Sequence, residues 1–283
     1  MGLSKTPKVK QFIAQAVAED LGQGDITTET LIPKTQRGRA SIMAKASGII
    51  AGVEIAKQIF LKVDPELKLA ILIEDGTKVN PGDIVAKIEG KAASILKAER
   101  VALNLLQRLS GIASETGRYV QAVNGLPVQI TDTRKTTPGL RTLEKYAVRV
   151  GGGKNHRMHL GDGILIKDNH LAALRHQGLG IKEIVTRTRQ KASPKLKVEI
   201  EVKSPREAVE AAESGADVIM LDNMTLKDMR QAVQLIKGRS LIEASGGITL
   251  DRVRAIAETG VDLISIGALT HSAKALDISL ELD

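Results

Sequence analysis

Beyond Leu126 the chain alternates short apolar runs with amphipathic segments: PVQIT, GILIK, KVEIEV, DVIMLD, SLIEAS and DLISIGA, with helical patterns at 205–215, 225–237 and 249–260 between the later runs. Each helical pattern starts with Ser or Thr near its N-terminus and two of the three end at Gly, as capping chemistry favours. Repeated βα units of this length dictate a parallel sheet with helices outside it. Six apolar runs in succession predict a closed or incomplete α/β barrel.

The first hundred residues follow a different rhythm. Residues 8–21 place Phe12, Ile13, Ala16, Val17 and Leu21 on one helical face, and Gly22 and Gly24 end the pattern. Asp25-Ile-Thr-Thr then reads as the opening of an extended region. From Arg37 to Gly90 short strands punctuated by glycine predict a β-rich first domain. Over residues 91–123 the period changes again: Ala98, Ala102, Leu105, Leu109 and Ile112 form one apolar stripe, which predicts a long helix linking two domains. Arg100, within it, reads as a solvated helix charge.

Composition removes several classes of function. With 283 residues the chain can bury a full core without staples, and with no Cys it has no disulfide, thiolate metal site or cysteine nucleophile. Phe12, Phe60, Tyr119 and Tyr146 are its only aromatics, too few for a base-stacking platform. A net charge of +8 suits nucleic acid, a membrane surface or small polyanions, and composition alone does not choose among them. No apolar run approaches the ~18 residues that span a bilayer, and the N-terminus has no signal-peptide stretch, so a soluble, cytoplasmic protein with no membrane or nucleic-acid partner is expected.

Polar residues collect where the apolar runs end. These ends read Thr133, Arg134 and Lys135; Lys167 and Asp168; Glu201; Asp222 and Asn223; Ser245 to Gly247; and Gly267. In α/β folds the carboxyl ends of strands carry the chemistry. Glu201 and Asp222 suit sugar hydroxyls or a divalent cation, magnesium above all, because one or two carboxylates hold it while substrate phosphates complete its shell. Structural ion pairs with Lys167 or Lys203 are the other reading. EASGGI offers backbone N–H groups unhindered by Cβ just before a helix start at Thr249, and ISIGALTHS repeats the feature one unit later, a pairing common at phosphate sites.

Between Asp132 and His170 the chain gathers Arg134, Lys135, Arg157 and Lys167 with His156, His159 and His170. That is more cation than an ordinary surface loop carries, and it predicts a strongly anionic ligand. Arg134 and Arg157 can each grip a carboxylate through two bonds. His156 and His170 read as hydrogen-bonded braces or proton carriers, and His159, His176 and His271 as bracing or surface residues. The histidine spacing does not point to zinc.

The segments TDTRKTTPGLRTLEKYAVRVGGGKNHRMHLGDGILIKDNH, EIEV, IMLDN, EASGGI and ISIGALTHS, with AEDLGQGDITTE and AERVALNLLQRLSGIAS before them, resemble the quinolinate phosphoribosyltransferases, the carboxylating nicotinate-nucleotide pyrophosphorylases. The likeness runs over almost the whole chain. It implies the type II phosphoribosyltransferase fold: an α/β sandwich-like N-terminal domain with the linking helix over residues 1–112, and an open, seven-stranded α/β barrel over 113–270. Residues 271–283 would pack back on the first domain. It further implies a homodimer, or a hexamer, in which each barrel faces its partner's N-terminal domain and Arg100 reaches into the neighbouring site. This replaces the solvated-charge reading of Arg100.

By the same likeness Thr133, Arg134, Lys135, His156, Arg157 and Lys167 would surround the two carboxylates of quinolinate. Glu201 and Asp222 would engage the ribose hydroxyls and Mg2+ of phosphoribosyl pyrophosphate, directly or through water or substrate. Ser245, Gly246, Gly247, Ile266, Gly267 and Ala268 would hold its 5-phosphate. Lys135, Lys167, Glu201 and Asp222 would be catalytic in forming nicotinate mononucleotide, pyrophosphate and CO2 for NAD biosynthesis. A paralogue associated with molybdenum transport shares the scaffold, but Arg134, Arg157 and Lys167 fit a dicarboxylate. A barrel aldolase using Lys167 as a Schiff-base amine and a basic nucleic-acid-binding protein are the remaining alternatives.

Overall fold

Asp25 sets the first departure from the sequence reading: its carboxylate accepts the Thr28 N–H at 2.9 Å and caps a short helix where an extended segment was expected. The computed structural model describes Ser4, residues 6–175 and residues 178–283. Its early elements are α1 (Pro7–Leu21), the capped α2 (Ile26–Leu31), β1 (Arg37–Ala44), β2 (Gly48–Ile49), α3 (Val53–Val63), β3 (Lys68–Ile71), β4 (Lys78–Val79), β5 (Ile84–Lys91) and α4 (Ala92–Ala122). The region expected to be β-rich thus also carries α3, whose Ile55, Ala56, Ile59 and Phe60 are buried.

From there the chain runs through β6 (Gln129–Thr131), α5 (Arg141–Val150), β7 (Ile164–Ile166), α6 (Asp168–Arg175), α7 (Ile181–Lys191), β8 (Val198–Val202), α8 (Pro205–Glu213), β9 (Val218–Asp222), α9 (Leu226–Ile236), β10 (Leu241–Ser245), α10 (Val253–Ala257), β11 (Leu263–Ser265), α11 (Ala268–His271) and β12 (Ile278–Leu282). Among the described residues no helix is long and apolar enough to cross a membrane.

Two compact units result. The first takes in the chain up to Gly117, Thr137–Gly152 and Ser272–Asp283. Its sheet runs in the order β12-β1-β5-β3, with antiparallel pairing throughout, so the last strand lies against the first. Ala40, Ile42 and Ala44 alternate into its core along β1. Helix α5 belongs to this unit through buried polar contacts. Glu144 accepts from Arg108 Nη2 at 2.9 Å and from Thr137 Oγ1 at 2.8 Å, and Tyr146 donates its hydroxyl to Asp75 at 2.6 Å.

The second unit takes in Arg118–Thr136 and Gly153–His271. Its strands follow the order β6-β11-β10-β9-β8-β7, every pair parallel. Six strands are formed, as the six apolar runs indicate. The seventh position is reduced to one bridge between Thr131 and Lys154. The ladder stops there because Asp132, fully buried, takes the next two partners with its side chain: Asn155 Nδ2 donates to it at 2.5 Å and the His156 N–H at 2.9 Å. The sheet is therefore an open barrel. The helix expected over 249–260 is shorter, Val253–Ala257, because the N–H groups of Arg252 and Val253 first turn back on the Thr249 carbonyl.

Candidate active site

The strand period of two decides which side chains face the barrel interior. In β8, Val198, Ile200 and Val202 are buried, while Glu199 and Glu201 point the other way; in β10, Glu243 and Ser245 share a face, as Met220 and Asp222 do in β9. Register puts Ser245 opposite Asp222, and Met220 opposite both Glu201 and Glu243. Two tiers follow along each strand: Glu199 lies one inward position below Glu201 in β8, and Glu243 one below Ser245 in β10.

Above the tiers lies a cavity of about 680 Å³, lined from every strand end. Thr133, Arg134 and Lys135 reach it beyond β6, His156 and Arg157 from beyond the Lys154 bridge, and Lys167 from β7. Glu201 and Asp222 line it from the ends of β8 and β9, and the segments Ser245–Thr249 and Ser265–Ala268 complete it. Gly267 is required for this packing. A Cβ there would stand 2.9 Å from the Lys135 side chain and 3.2 Å from the His271 ring.

The cations crowd one another. Arg157 has its guanidinium pKa lowered by burial and by the neighbouring charge of Arg134, and donates to the Gly163 carbonyl at 3.2 Å. Glu201 has its carboxyl pKa raised, by burial first and by the Asp222 charge as well, while the Asp168 N–H, at 3.1 Å, and the Lys167 charge work against the rise. Lys203 pairs with Asp168 at 3.2 Å, so the expected alternative of a Lys203 pair with Glu201 is not made. Cations and carboxylates around one cavity make a site for a ligand that carries anionic groups and hydroxyls.

Two domain models account for this arrangement along the chain: the quinolinate phosphoribosyl transferase N-terminal domain matches residues 25–110 and the C-terminal domain matches residues 112–281. The chain belongs to the quinolinate phosphoribosyltransferase family. Relatives agree. It is 44% identical to the probable nicotinate-nucleotide pyrophosphorylase [carboxylating] of Bacillus subtilis, with 97% of this chain and 93% of that protein covered. It is likewise 44% identical to the chloroplastic carboxylating nicotinate-nucleotide pyrophosphorylase of Arabidopsis thaliana, over 98% of this chain and 84% of that protein. The crystal structure of NadC from Streptococcus pyogenes superposes with a TM-score of 0.94 at 43% identity, covering 100% of this chain and 99% of that chain.

Within this family member, every site residue expected on the barrel lines the cavity. Arg100 does not. It sits exposed on α4, 3.3 Å from Glu99. His159 is exposed beside Asp162, and His170 accepts the Lys167 N–H at 2.9 Å as a brace. His176 lies outside the described residues. His271 is exposed, in keeping with a surface residue, and also lines the cavity, where Gly267 leaves room for its ring.

Sequence reading missed Glu199 and Glu243. Both are buried, and with His156 they bring three ligand atoms within 4.8 Å of one another, the spacing of a divalent-cation set. His156 Nε2 lies 3.1 Å from Glu199 and 3.5 Å from Glu243. Its Nδ1 accepts the Arg157 N–H at 2.9 Å, which leaves the ring hydrogen on Nε2, facing the carboxylates. In that tautomer the ring offers the carboxylates a donor and not a metal-binding lone pair. The signal for both acids was present in the strands VEIEV and LIEAS, where a charge interrupts an apolar run.

Proposed function

We propose that this chain transfers the phosphoribosyl group of phosphoribosyl pyrophosphate to quinolinate with loss of CO2, giving nicotinate mononucleotide and pyrophosphate in NAD biosynthesis. One observation carries the reading: Arg134, Lys135, Arg157 and Lys167 line a single cavity together with Glu201, Asp222 and two glycine-bearing turns. Arg134 and Arg157, crowded together so that their like charges repel, would take the two carboxylates of quinolinate and fix the ring nitrogen toward the ribose carbon. Thr133 and His156 would brace that end. Glu201 and Asp222 would take the ribose hydroxyls. The turns Ser245–Gly247 and Ile266–Ala268 would hold the 5-phosphate through backbone N–H groups. Because α10 begins only at Val253, these turn amides and not a long helix would supply the positive end.

Glu201 and Asp222 also fit Mg2+. They offer hard oxygen donors at the cavity wall, close enough for the Asp222 charge to act on Glu201, and a cation between them would relieve that repulsion. The His156 cluster, with its ring hydrogen turned inward, suits the ion less well. When bound, magnesium neutralises charge on the departing pyrophosphate. Lys135 and Lys167 would draw on the same charge as the bond breaks, leaving the ribose carbon electron-poor for attack by the pyridine nitrogen. The bond to the adjacent carboxylate then breaks, its electron pair stays on the ring carbon beside the positive nitrogen as CO2 leaves, and that carbon takes a proton from solvent to give the product.

A homodimer and a cytoplasmic location belong to the same reading, with Arg100 completing the partner's site. Incubation with quinolinate, phosphoribosyl pyrophosphate and Mg2+ tests the reaction. Nicotinate mononucleotide and CO2 should appear in equal amounts and vanish without the metal. Failure of quinolinate to bind would overturn the assignment.

A further inference from the structure

Among the described residues, Asn223 and Lys237 are the non-glycine residues with positive φ. Lys237 closes α9 as its C-cap, an ordinary place for the left-handed conformation. Asn223, at φ 53°, instead follows β9 in the cavity wall. Asparagine tolerates this region better than most residues, yet the conformation persists only where its surroundings hold it.

Three contacts hold Asn223. Its N–H donates to the Ser245 carbonyl at 2.9 Å, tying the end of β9 to the end of β10. Its Nδ2 donates to Asp222 Oδ1 at 3.0 Å. Its carboxamide lies flat on Gly246, so close that a Cβ at Gly246 would overlap all three terminal atoms of the amide. Gly246 and Gly247 are themselves at φ 94° and 57°, so the turn that the amide backs depends on both glycines.

One side chain therefore touches both Asp222 and the glycine turn after β10. Occupying Oδ1 of Asp222 fixes that carboxylate's orientation and leaves its other oxygen for a ligand. Backing Gly246 fixes the direction of the turn's N–H groups. We propose that Asn223 is a positioning residue that locks Asp222 and the Ser245–Gly247 turn into one phosphoribosyl-binding unit, setting affinity for the phosphoribosyl donor and not for the pyridine dicarboxylate. This rests on the function proposed above. Groups held in place before binding cost less to order when the ligand arrives.

Asn223→Gly keeps the left-handed backbone available and removes the carboxamide. Asn223→Asp keeps the size but sets a carboxylate beside Asp222. Titration calorimetry with phosphoribosyl pyrophosphate and with quinolinate, together with the KM for each, reads the effect. In Asn223→Gly the Kd and KM for phosphoribosyl pyrophosphate should rise about tenfold, the loss expected when one hydrogen bond and its ordering go, while quinolinate binding stays unchanged. Asn223→Asp should weaken the donor further, because its added negative charge faces the donor's phosphates. Unchanged donor affinity in Asn223→Gly overturns the proposal. So does an equal loss for both ligands with a lowered Tm, which would mean a purely structural residue. Absence of turnover in the unsubstituted protein sinks the functional reading instead, and is told apart by that control.

Discussion

His156 Nε2 lies 3.1 Å from Glu199 Oε2, and the pair sits over Glu243, whose carboxylate is wholly buried and has no hydrogen bond closer than the 3.5 Å contact to the same ring. Three groups so placed share protons as a unit. Burial opposes a charged imidazole, but the hydrogen bonds and charges of Glu199 and Glu243 outweigh it and push His156 up to about 10. Burial also raises the Glu199 carboxyl, helped by the Glu243 charge. Both shifts have one meaning: the folded cluster keeps a proton that its members would separately release, and because His156 Nδ1 accepts the Arg157 N–H, that proton is shared between Nε2 and the two carboxylates.

That proton gives a pH dependence with a definite sign. The unfolded chain releases it at histidine's ordinary 6.5, the folded chain near 10. The stabilisation is therefore complete below 6.5 and is lost as pH rises toward 10. Thermal unfolding followed from pH 6 to pH 10 should show Tm falling across that window. In His156→Gln the slope should flatten; an unchanged slope would remove the cluster as its source.

The barrel strands were legible because each is an apolar run bounded by turn residues, and their polar ends were legible because charge there has no structural excuse. Local chemistry hid the rest. Asp25 reads as the opening of an extended region until its carboxylate is seen on the Thr28 N–H. Asp132 gave no sign that it would end the seventh strand, since its partners Asn155 and His156 are more than twenty residues away. Glu199 and Glu243 were passed over as strand interiors, although period two places them beneath Glu201 and Ser245. Arg100 drew its role from family resemblance alone; on its helix it is one exposed cation beside Glu99.

Lys135 and Lys167 both line the cavity without being buried, so their loss should touch chemistry more than folding. Lys135→Ala and Lys167→Ala should each lower kcat by about 10²–10³, the usual effect of deleting a group aimed at developing charge. Circular dichroism and Tm should change little. Turnover that survives in either variant takes that lysine out of the reaction.

Gly111 on α4 meets the segment leading to β12. A Cβ there would strike the Lys274 carbonyl oxygen and stand 3.0 Å from the Ala275 Cα, and backbone atoms cannot step aside as a side chain can. Gly111→Ala should cost about 1–3 kcal/mol in urea unfolding, as overpacking does. It should also open the C-terminal strand, paired to β1 from Ala44 to Ala40, to proteolysis. Gly161→Ala, which meets nothing within 4 Å, is the control and should change stability little.

Arg100 offers the sharpest test of assembly, because its side chain is 57% exposed and lies outside its own chain's cavity lining. If it completes a partner's site, Arg100→Ala should be nearly inactive although its barrel is intact, and Lys167→Ala should be inactive although its Arg100 is intact. Mixed and allowed to exchange subunits, the two form heterodimers in which one site combines the intact barrel of the first with the intact arginine of the second. The other site carries both defects. Random pairing makes half the dimers mixed, so activity should recover to about a quarter of the unsubstituted level. No recovery after demonstrated exchange would mean that Arg100 acts within its own chain or not at all.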